Sequence, residues 1–293
     1  MNSEKTIHTL LEDINEMMYD GVDVPESFLK EFSENICSAL KKSLKEGCKA
    51  GSRIRMSNIG TPPRKLWYQL NGYEGSAPTP NLARQFIYGH MIEAFMLLLA
   101  KTAGHSVTDA QKEVELDGIK GHQDAKIDGV LVDVKGMSAF GFDKFDSRRV
   151  LKDDSFGYIA QISGYAQAQE GVNEAGFFVF DKLNGRMCLM LVDGHELVDA
   201  RSKIATAKAT MEKNEPPIEK CYEPVPLGEA GNLALAKSCE WCAFKRECWK
   251  DANDGTGLRG FKYSNGIQHL VKIVKEPKVE EILYHETAQG REE

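Results

Sequence analysis

Two short runs of alternating residues are joined only by Asp128-Gly129, and this pattern constrains the fold more strongly than any other in the chain. The runs are residues 125–127 and 130–135. Asp-Gly between alternating apolar residues is a strong signal for a two-residue turn with positive φ at both positions. The sequence therefore predicts a β-hairpin whose residues pair in order outward from this turn.

That pairing order places Asp124 opposite Asp133. Directly opposed residues lie on one face of a sheet with Cβ atoms about 5 Å apart, and like charges at that distance destabilise the pair unless a positive group lies nearby. Lys135 points to the same face because side chains alternate along a strand. Two acids and one lysine are therefore expected to converge, while the apolar residues of the hairpin face the core.

The convergence of these charges has two interpretations. Carboxylates are the hard oxygen ligands that Mg²⁺ and Mn²⁺ prefer, and a nearby lysine can orient a metal-bound water or stabilise phosphate charge. The hairpin therefore fits a divalent-metal phosphodiesterase. The other interpretation is a surface hairpin with a cross-strand Asp–Lys salt bridge. The spacing alone leaves both open.

Length, hydropathy and charge narrow the class of protein. The chain has 293 residues with a formal charge of −7, which predicts one large domain with appendages, or two domains, and leaves only local contacts for DNA. The longest apolar run, residues 94–100, is too short to cross a bilayer. The polar N-terminus lacks a secretory pattern, so we expect a cytoplasmic protein of a bacterium or a phage-infected host.

Helical periodicity and stop signals predict helices on both sides of the hairpin. The predicted helices cover residues 1–50 with a break at Asp20-Gly21, 64–68, 81–101, 157–169 and 197–213, and further strands cover 114–116, 176–180 and 187–192. The expected fold class is α/β, with a central mixed sheet of about five strands and helices on both faces. Beyond Pro216 the chain reads as irregular.

Polar residues interrupt two of these helices at regular spacing. His90 and Glu93 lie on the same helical stripe as Phe86, and buried polar groups on an apolar stripe need hydrogen-bonding or metal partners. Gln161 and Tyr165 are four residues apart on the next helix, so they share a face. None of these residues identifies a function alone.

Taken in order along the chain, these residues resemble a known family. The ordered set is Gly89-His90-x-x-Glu93, Gly121-His-Gln-Asp124, Asp133-Val-Lys135 and Gln161-x-x-x-Tyr165. It resembles the PD-(D/E)xK nuclease superfamily, in particular the RecB-type domains of phage relatives and of CRISPR-associated iron-sulfur exonucleases. The resemblance covers roughly residues 60–250. It implies a restriction-endonuclease-like core and a metal-dependent DNA exonuclease that hydrolyses phosphodiester bonds in phage or recombination-type DNA processing.

The resemblance also implies a role for each matching residue. It makes His90, Asp124, Asp133 and the backbone carbonyl of Val134 the ligands of Mg²⁺ or Mn²⁺, and it makes Lys135 the catalytic lysine. Gln161 and Tyr165 take the helix positions that help to hold this lysine and the DNA backbone. The family more commonly has glutamate where Asp133 stands, and aspartate is one methylene shorter.

Four cysteines cluster near the C-terminus, at Cys221, Cys239, Cys242 and Cys248. In a cytoplasmic protein such a set favours metal ligation over disulfides, and the spacing fits either a 4Fe-4S cluster or structural Zn²⁺. In the iron-sulfur branch the first cysteine ligand stands where this chain has Pro62, so we expect Cys221 as the fourth ligand, with Cys48 the second choice. The centre would pin the C-terminal segment without taking part in cleavage. Cys37 and Cys188 are expected to be buried thiols.

Domain boundaries and partners complete the expectations. We expect a helical extension (1–56), a nuclease core (57–215), a four-cysteine segment (216–252) and a C-terminal tail (253–293). DNA ends, single-stranded or duplex, are the expected partner. A second copy of the chain or a protein of a recombination complex is a further candidate, and no membrane is involved. Phosphate contacts are expected from Arg64, Lys65, Arg148 and Arg149, and base stacking from Trp67 or Tyr68, with a place in the core as the equal alternative for Trp67.

Two other functions compete with the nuclease. One is a non-catalytic DNA-binding or assembly subunit of a recombination or CRISPR adaptation complex, which would retain the fold and the cysteines and act through a partner. The other is a zinc-containing scaffold in which the hairpin carries a chance salt bridge. Only the nuclease has a use for the opposed carboxylates of Asp124 and Asp133, because a purely structural descendant does not need them.

Overall fold

The computed structural model describes residues 5–49 and 51–282, so residues 1–4, residue 50 and the last part of the predicted tail, 283–293, lie outside it. The main helices are α1 (Leu10–Asp20), α2 (Glu26–Glu46), α3 (Pro63–Leu70), α4 (Pro80–Thr102), α5 (Ala139–Asp146), α6 (Tyr158–Gln167) and α7 (Ala200–Met211). Short helices are α8 (Lys237–Glu240), α9 (Lys245–Cys248) and α10 (Ala252–Gly255), with 3-10 turns at Ile7–Thr9, Met56–Asn58 and Arg149–Leu151. No helix in this part of the chain has the length and apolar character needed to cross a membrane.

The strands form a central sheet, a second sheet and a small hairpin. The strands are β1 (Val107–Thr108), β2 (Glu113–Leu116), β3 (Ile119–His122), β4 (Ala125–Ile127), β5 (Val130–Met137), β6 (Glu174–Asp181), β7 (Met187–Asp193), β8 (Val225–Leu227), β9 (Asn232–Ala234), β10 (Arg259–Tyr263), β11 (Gly266–Lys272) and β12 (Glu281–Ile282). The central sheet has the order β1-β4-β5-β6-β7, in which β5 and β6 are parallel and the other pairs antiparallel. The predicted mixed α/β architecture is confirmed.

Helices cover both faces of the central sheet because its strands are apolar on both sides. On β5, Leu131 packs into a core that includes Phe145 of α5 and Ile162 of α6. Its neighbour Val132 packs into the opposite core, with Met96 of α4 among others. Strands buried on both faces read as nearly continuous apolar runs, which β5 and β6 show.

The predicted hairpin is present. Asp128 and Gly129 both have positive φ, at 49° and 85°, as a type I′ turn requires. The ladder pairs Ile127 with Val130 and ends at Ala125 opposite Val132. The register predicted from the turn is therefore confirmed for the three pairs nearest to it.

Helix α4 buries a different stripe from the one that includes Phe86 and His90. The buried residues are Ile92, Met96, Leu97 and Ala100. Phe86 is 53% exposed, and the His90 side chain is 51% exposed. The expectation of a buried stripe is wrong for the N-terminal half of the helix, because the core contacts of α4 begin only at Ile92.

The C-terminal part of the chain is more regular than expected. Strands β8 to β12 form an antiparallel sheet in the order β12-β10-β11-β9-β8. The sheet joins strands from both sides of residue 252, the expected boundary between the cysteine segment and the tail. The strands are short and lack a clear alternation, so no periodic pattern of residues predicts them.

Helix α3 packs against the cysteine segment. Trp67 and Tyr68 are 3% and 2% exposed, and they share a core with Leu235 and Phe244. The Trp67 indole donates to the carbonyl of Lys213 at 2.8 Å. The prediction that Trp67 or Tyr68 stacks on a DNA base is therefore wrong, because both rings are enclosed. The prediction that Cys37 and Cys188 are buried thiols is confirmed for Cys188 and is wrong for Cys37, which is exposed.

The start of α6 depends on a close backbone approach. Gly157 has φ of +80°, and a Cβ there would lie 2.7 Å from the backbone of Gly60. Gly185 has φ of +69° in a turn with open space around it.

We expect Gly157→Ala to lower the free energy of unfolding by about 3 kcal/mol or more and Gly185→Ala by about 1 kcal/mol, because only the first adds a steric clash to the backbone strain. Denaturant unfolding measures both, and equal losses would contradict the close approach.

Candidate active site

The ladder between β4 and β5 ends before Asp124, whose side chain hydrogen-bonds to β5 instead. Its Oδ2 accepts a hydrogen bond from the backbone N–H of Val134 at 2.7 Å. The strand pairing of β4 has already ended at Ala125. The N–H and C=O of one strand residue point to the same edge, so the Val134 carbonyl also points toward Asp124. The carboxylate thus occupies the edge of β5 that β4 leaves open.

Asp133 is the most deeply enclosed acid of this site, with 1% exposure. Its Oδ2 lies 2.7 Å from the Lys135 ammonium. Neither carboxylate oxygen receives a hydrogen bond of good geometry from the described residues. A buried carboxylate normally has such donors. Oδ2 is already engaged in the ion pair with Lys135, so Oδ1 is the oxygen with unused capacity to bind a cation.

Lys135 is held from the side of α6. Its ammonium donates to Gln161 Oε1 at 3.3 Å, and Gln161 Nε2 in turn donates to the Tyr165 hydroxyl at 3.3 Å. The ring of Tyr158 lies with its centroid 5.1 Å from the same ammonium. Burial disfavours the charged lysine, but the Asp133 carboxylate overrides this and raises the pKa of Lys135. The lysine is therefore a fixed cation.

The site has more acidic groups than one lysine can neutralise. Burial is the main cause that raises the pKa of Asp124 well above its ordinary value, and the charges of Asp133 and Glu93 raise it further. Burial also raises the pKa of Asp133, against the opposing effect of Lys135. Acids in this state resist ionisation unless a cation joins them. The donor set, hard and oxygen-based, fits a divalent ion such as Mg²⁺ or Mn²⁺.

From helix α4, the charge of Glu93 acts on the Asp124 carboxylate, whereas His90 is not among the groups that do so. The Glu93 carboxylate accepts a hydrogen bond from Gln111 and lies 3.7 Å from Nδ1 of His90. Within residues 5–49 and 51–282, no three His, Cys, Asp or Glu side chains are already arranged around a common point as metal ligands. His90 as a ligand stays a prediction.

Two residues of the site have no role assigned from the sequence. Glu93 is part of the first motif of the family resemblance, and its charge acts on Asp124 and Asp133. Tyr158 was missed, although it precedes Gln161 by three residues and Tyr165 by seven, which puts all three on one helical face. Extending the Gln161–Tyr165 stripe by one turn would have found it.

The four clustered cysteines lie close enough to influence one another. Burial raises the pKa of Cys239 to about 12, and the neighbouring Cys221, Cys242 and Cys248 raise it further. Cys48, the second choice for a fourth ligand, is exposed. Among the described residues no three thiols are already arranged as metal ligands, so Zn²⁺ and a 4Fe-4S cluster both stay predictions.

Two of the expected phosphate contacts are already engaged. Arg64 Nε donates to Cys248 Sγ at 3.1 Å, and its NH2 group donates to the Cys248 carbonyl at 3.2 Å. Arg148 forms a two-point ion pair with Glu196 at 2.6 and 2.7 Å. Both guanidinium groups therefore have structural partners. Arg149 is exposed and Lys65 is half-buried.

Comparisons with known proteins identify neither a family nor a curated relative of this chain, since no protein-family model and no curated protein matches it. A solved structure named "Crystal structure of SSO0001" is similar at 16% identity with a TM-score of 0.39, covering 70% of this chain and 92% of that chain. A likeness at that level carries no argument about fold or function.

The excess of acidic groups leads to a prediction about the stability of the metal-free protein. We expect Asp124→Asn to raise the free energy of unfolding of metal-free protein at pH 7 by roughly 1 kcal/mol, because the amide oxygen still accepts from Val134 while the charge is gone. A raised carboxyl pKa destabilises the fold only above the ordinary value of 3.8, so the advantage should vanish below that pH. Thermal unfolding in EDTA across pH, with the exposed Glu115→Gln as control, measures it. A variant less stable than wild type at pH 7 would contradict the charge excess.

The cysteine cluster leads to a prediction about the metal content of the purified protein. We expect anaerobically purified protein to contain iron or zinc, and we expect Cys221→Ser to lose most of it while the exposed Cys48→Ser retains it. Elemental analysis measures the metal, and broad visible absorbance distinguishes a cluster from colourless zinc. Equal metal in both variants would remove Cys221 from the ligand set.

Proposed function

We propose that this protein is a metal-dependent DNA exonuclease of the RecB-like branch of the PD-(D/E)xK superfamily, with a restriction-endonuclease-like core. One observation carries the proposal. The buried Asp133 carboxylate lies 2.7 Å from the Lys135 ammonium, and the half-buried Asp124 accepts from the intervening residue Val134. Gln161, whose amide donates to Tyr165, reaches the same lysine from the helix that the motif order specifies.

The residues divide the work of phosphodiester hydrolysis. Asp124, Asp133 and the Val134 carbonyl would hold one or two Mg²⁺ or Mn²⁺ ions, with His90 as a further ligand. A bound ion supplies an activated water and offsets the phosphate charge. The Lys135 ammonium orients the attacking water and stabilises the charge that develops on the phosphate oxygens. The Asp133 carboxylate keeps this lysine protonated.

Two side chains of α6 keep the lysine in place. Gln161 accepts from its ammonium, and the hydroxyl of Tyr165 fixes the Gln161 amide. Preorganisation of this kind places the positive charge before the reaction begins, so no reorganisation is needed when charge develops. The cysteine segment has a structural part in this scheme, since it packs on α3 and contributes no side chain to the acid pair.

A cleavage assay tests the proposal. We expect the wild-type protein with Mn²⁺ to degrade end-labelled DNA, and we expect Lys135→Ala and Asp133→Asn each to lose at least about 100-fold in rate. Lys126→Ala is the matched control, because Lys126 lies on the same hairpin and faces Asp109 at 3.6 Å. Single-stranded and duplex substrates are compared in parallel.

Each outcome of that assay has a meaning. Cleavage that survives in both site variants would come from a contaminant or another site, and it would contradict the proposal. Wild-type protein that binds DNA without cleaving it would favour a non-catalytic subunit of a recombination or CRISPR adaptation complex. Protein that neither binds nor cleaves DNA would favour a scaffold.

A further inference from the structure

An exposed aromatic ring sits one step away from the lysine. Phe156 is 66% exposed, and its ring stacks on Tyr158 with centroids 5.5 Å apart and an interplanar angle of 19°. The Tyr158 centroid lies 5.1 Å from the Lys135 ammonium. The two rings therefore form a short stack that begins at the lysine and ends at the surface.

The loop that presents Phe156 is fixed on both sides. The Asp154 carboxylate accepts hydrogen bonds from the backbone N–H groups of Gly157, Tyr158 and Ile159 at 2.8 to 3.0 Å. Gly157 also contacts the backbone of Gly60 too closely for any side chain. Phe156 is thus held in place before any ligand arrives, which lowers the entropic cost of binding to it.

The surroundings of the ring select the kind of ligand. Tyr158 occupies one face of the Phe156 ring, and the exposure leaves the other face to solvent. Arg149 and Lys152 are exposed on the turn just before the loop. A flat apolar face open to solvent matches a nucleobase, and the exposed cations that precede it in the chain match a phosphate backbone. The backbone N–H groups at the start of α6 are already taken by Asp154, so they do not form a competing phosphate site.

We infer that Phe156 is a stacking platform for a base of single-stranded DNA next to the reacting phosphate. The inference rests on the proposed function and names its substrate class. Phe156 acts as a positioning residue, since Tyr158 lies between it and the lysine. An aromatic face accepts any base, so the contact is independent of sequence. Bases inside a duplex are stacked on their neighbours, so the ring favours an unpaired strand.

Equilibrium binding tests the inference separately from cleavage. The full-length protein in EDTA is titrated with a fluorescein-labelled oligothymidylate, and with the same strand made abasic at its terminal nucleotides. We expect Phe156→Ala to weaken binding of the normal strand about tenfold and Phe156→Trp to retain it. The abasic strand should bind wild type and Phe156→Ala equally. Tyr19→Ala is the control, because Tyr19 is a 91% exposed aromatic on α1, which packs on the opposite face of the central sheet.

The outcomes separate this inference from the proposed function. Unchanged binding by Phe156→Ala would overturn the inference alone, and so would an equal loss on the normal and abasic strands, which would indicate a structural effect of the ring. Wild-type protein without affinity for DNA would overturn the inference and the proposed function together. A tenfold loss confined to the normal strand and rescued by tryptophan supports it.

Discussion

The hydrogen bond from the Val134 amide to Asp124 is the constraint on which the site depends, because it holds a second carboxylate beside the buried Asp133. A fold selected for stability alone would replace such a pair with apolar residues, since buried like charges oppose each other's ionisation. The lysine at Lys135 offsets part of this cost. The remainder lowers the stability of the metal-free protein, and a cation bound there, as proposed, would remove it.

Three elements bring the residues of the site together: the hairpin of β4 and β5, helix α6 and helix α4. The turn at Asp128-Gly129 sets the register of β4 and β5, and the early end of β4 opens the edge of β5 where the acids lie. Helix α6 reaches this edge from one face of the sheet with Tyr158 and Gln161, while α4 reaches it from the other face with Glu93. The fixed loop before α6 then links the lysine to the surface through Phe156.

The parts of the structure that the sequence predicted are those encoded by local patterns. The Asp-Gly turn fixed three ladder pairs, and the spacing of Gln161 and Tyr165 placed both on one helical face. The hydrogen bond of Asp124 to Val134 was not predictable, because ladder pairing gives no signal for a side chain that replaces a strand neighbour. The burial of Trp67 followed from the C-terminal sheet and the cysteine segment, whose short strands have no clear period.

The proposed activity requires that Asp124 and Asp133 hold one cation between them. Anomalous diffraction from crystals soaked with Mn²⁺ tests it most directly, because the signal locates the ion without reference to activity. We expect a peak about 2.2 Å from an oxygen of each carboxylate. Manganese bound elsewhere, with no peak between these two side chains and with Lys135 still paired to Asp133, would contradict it.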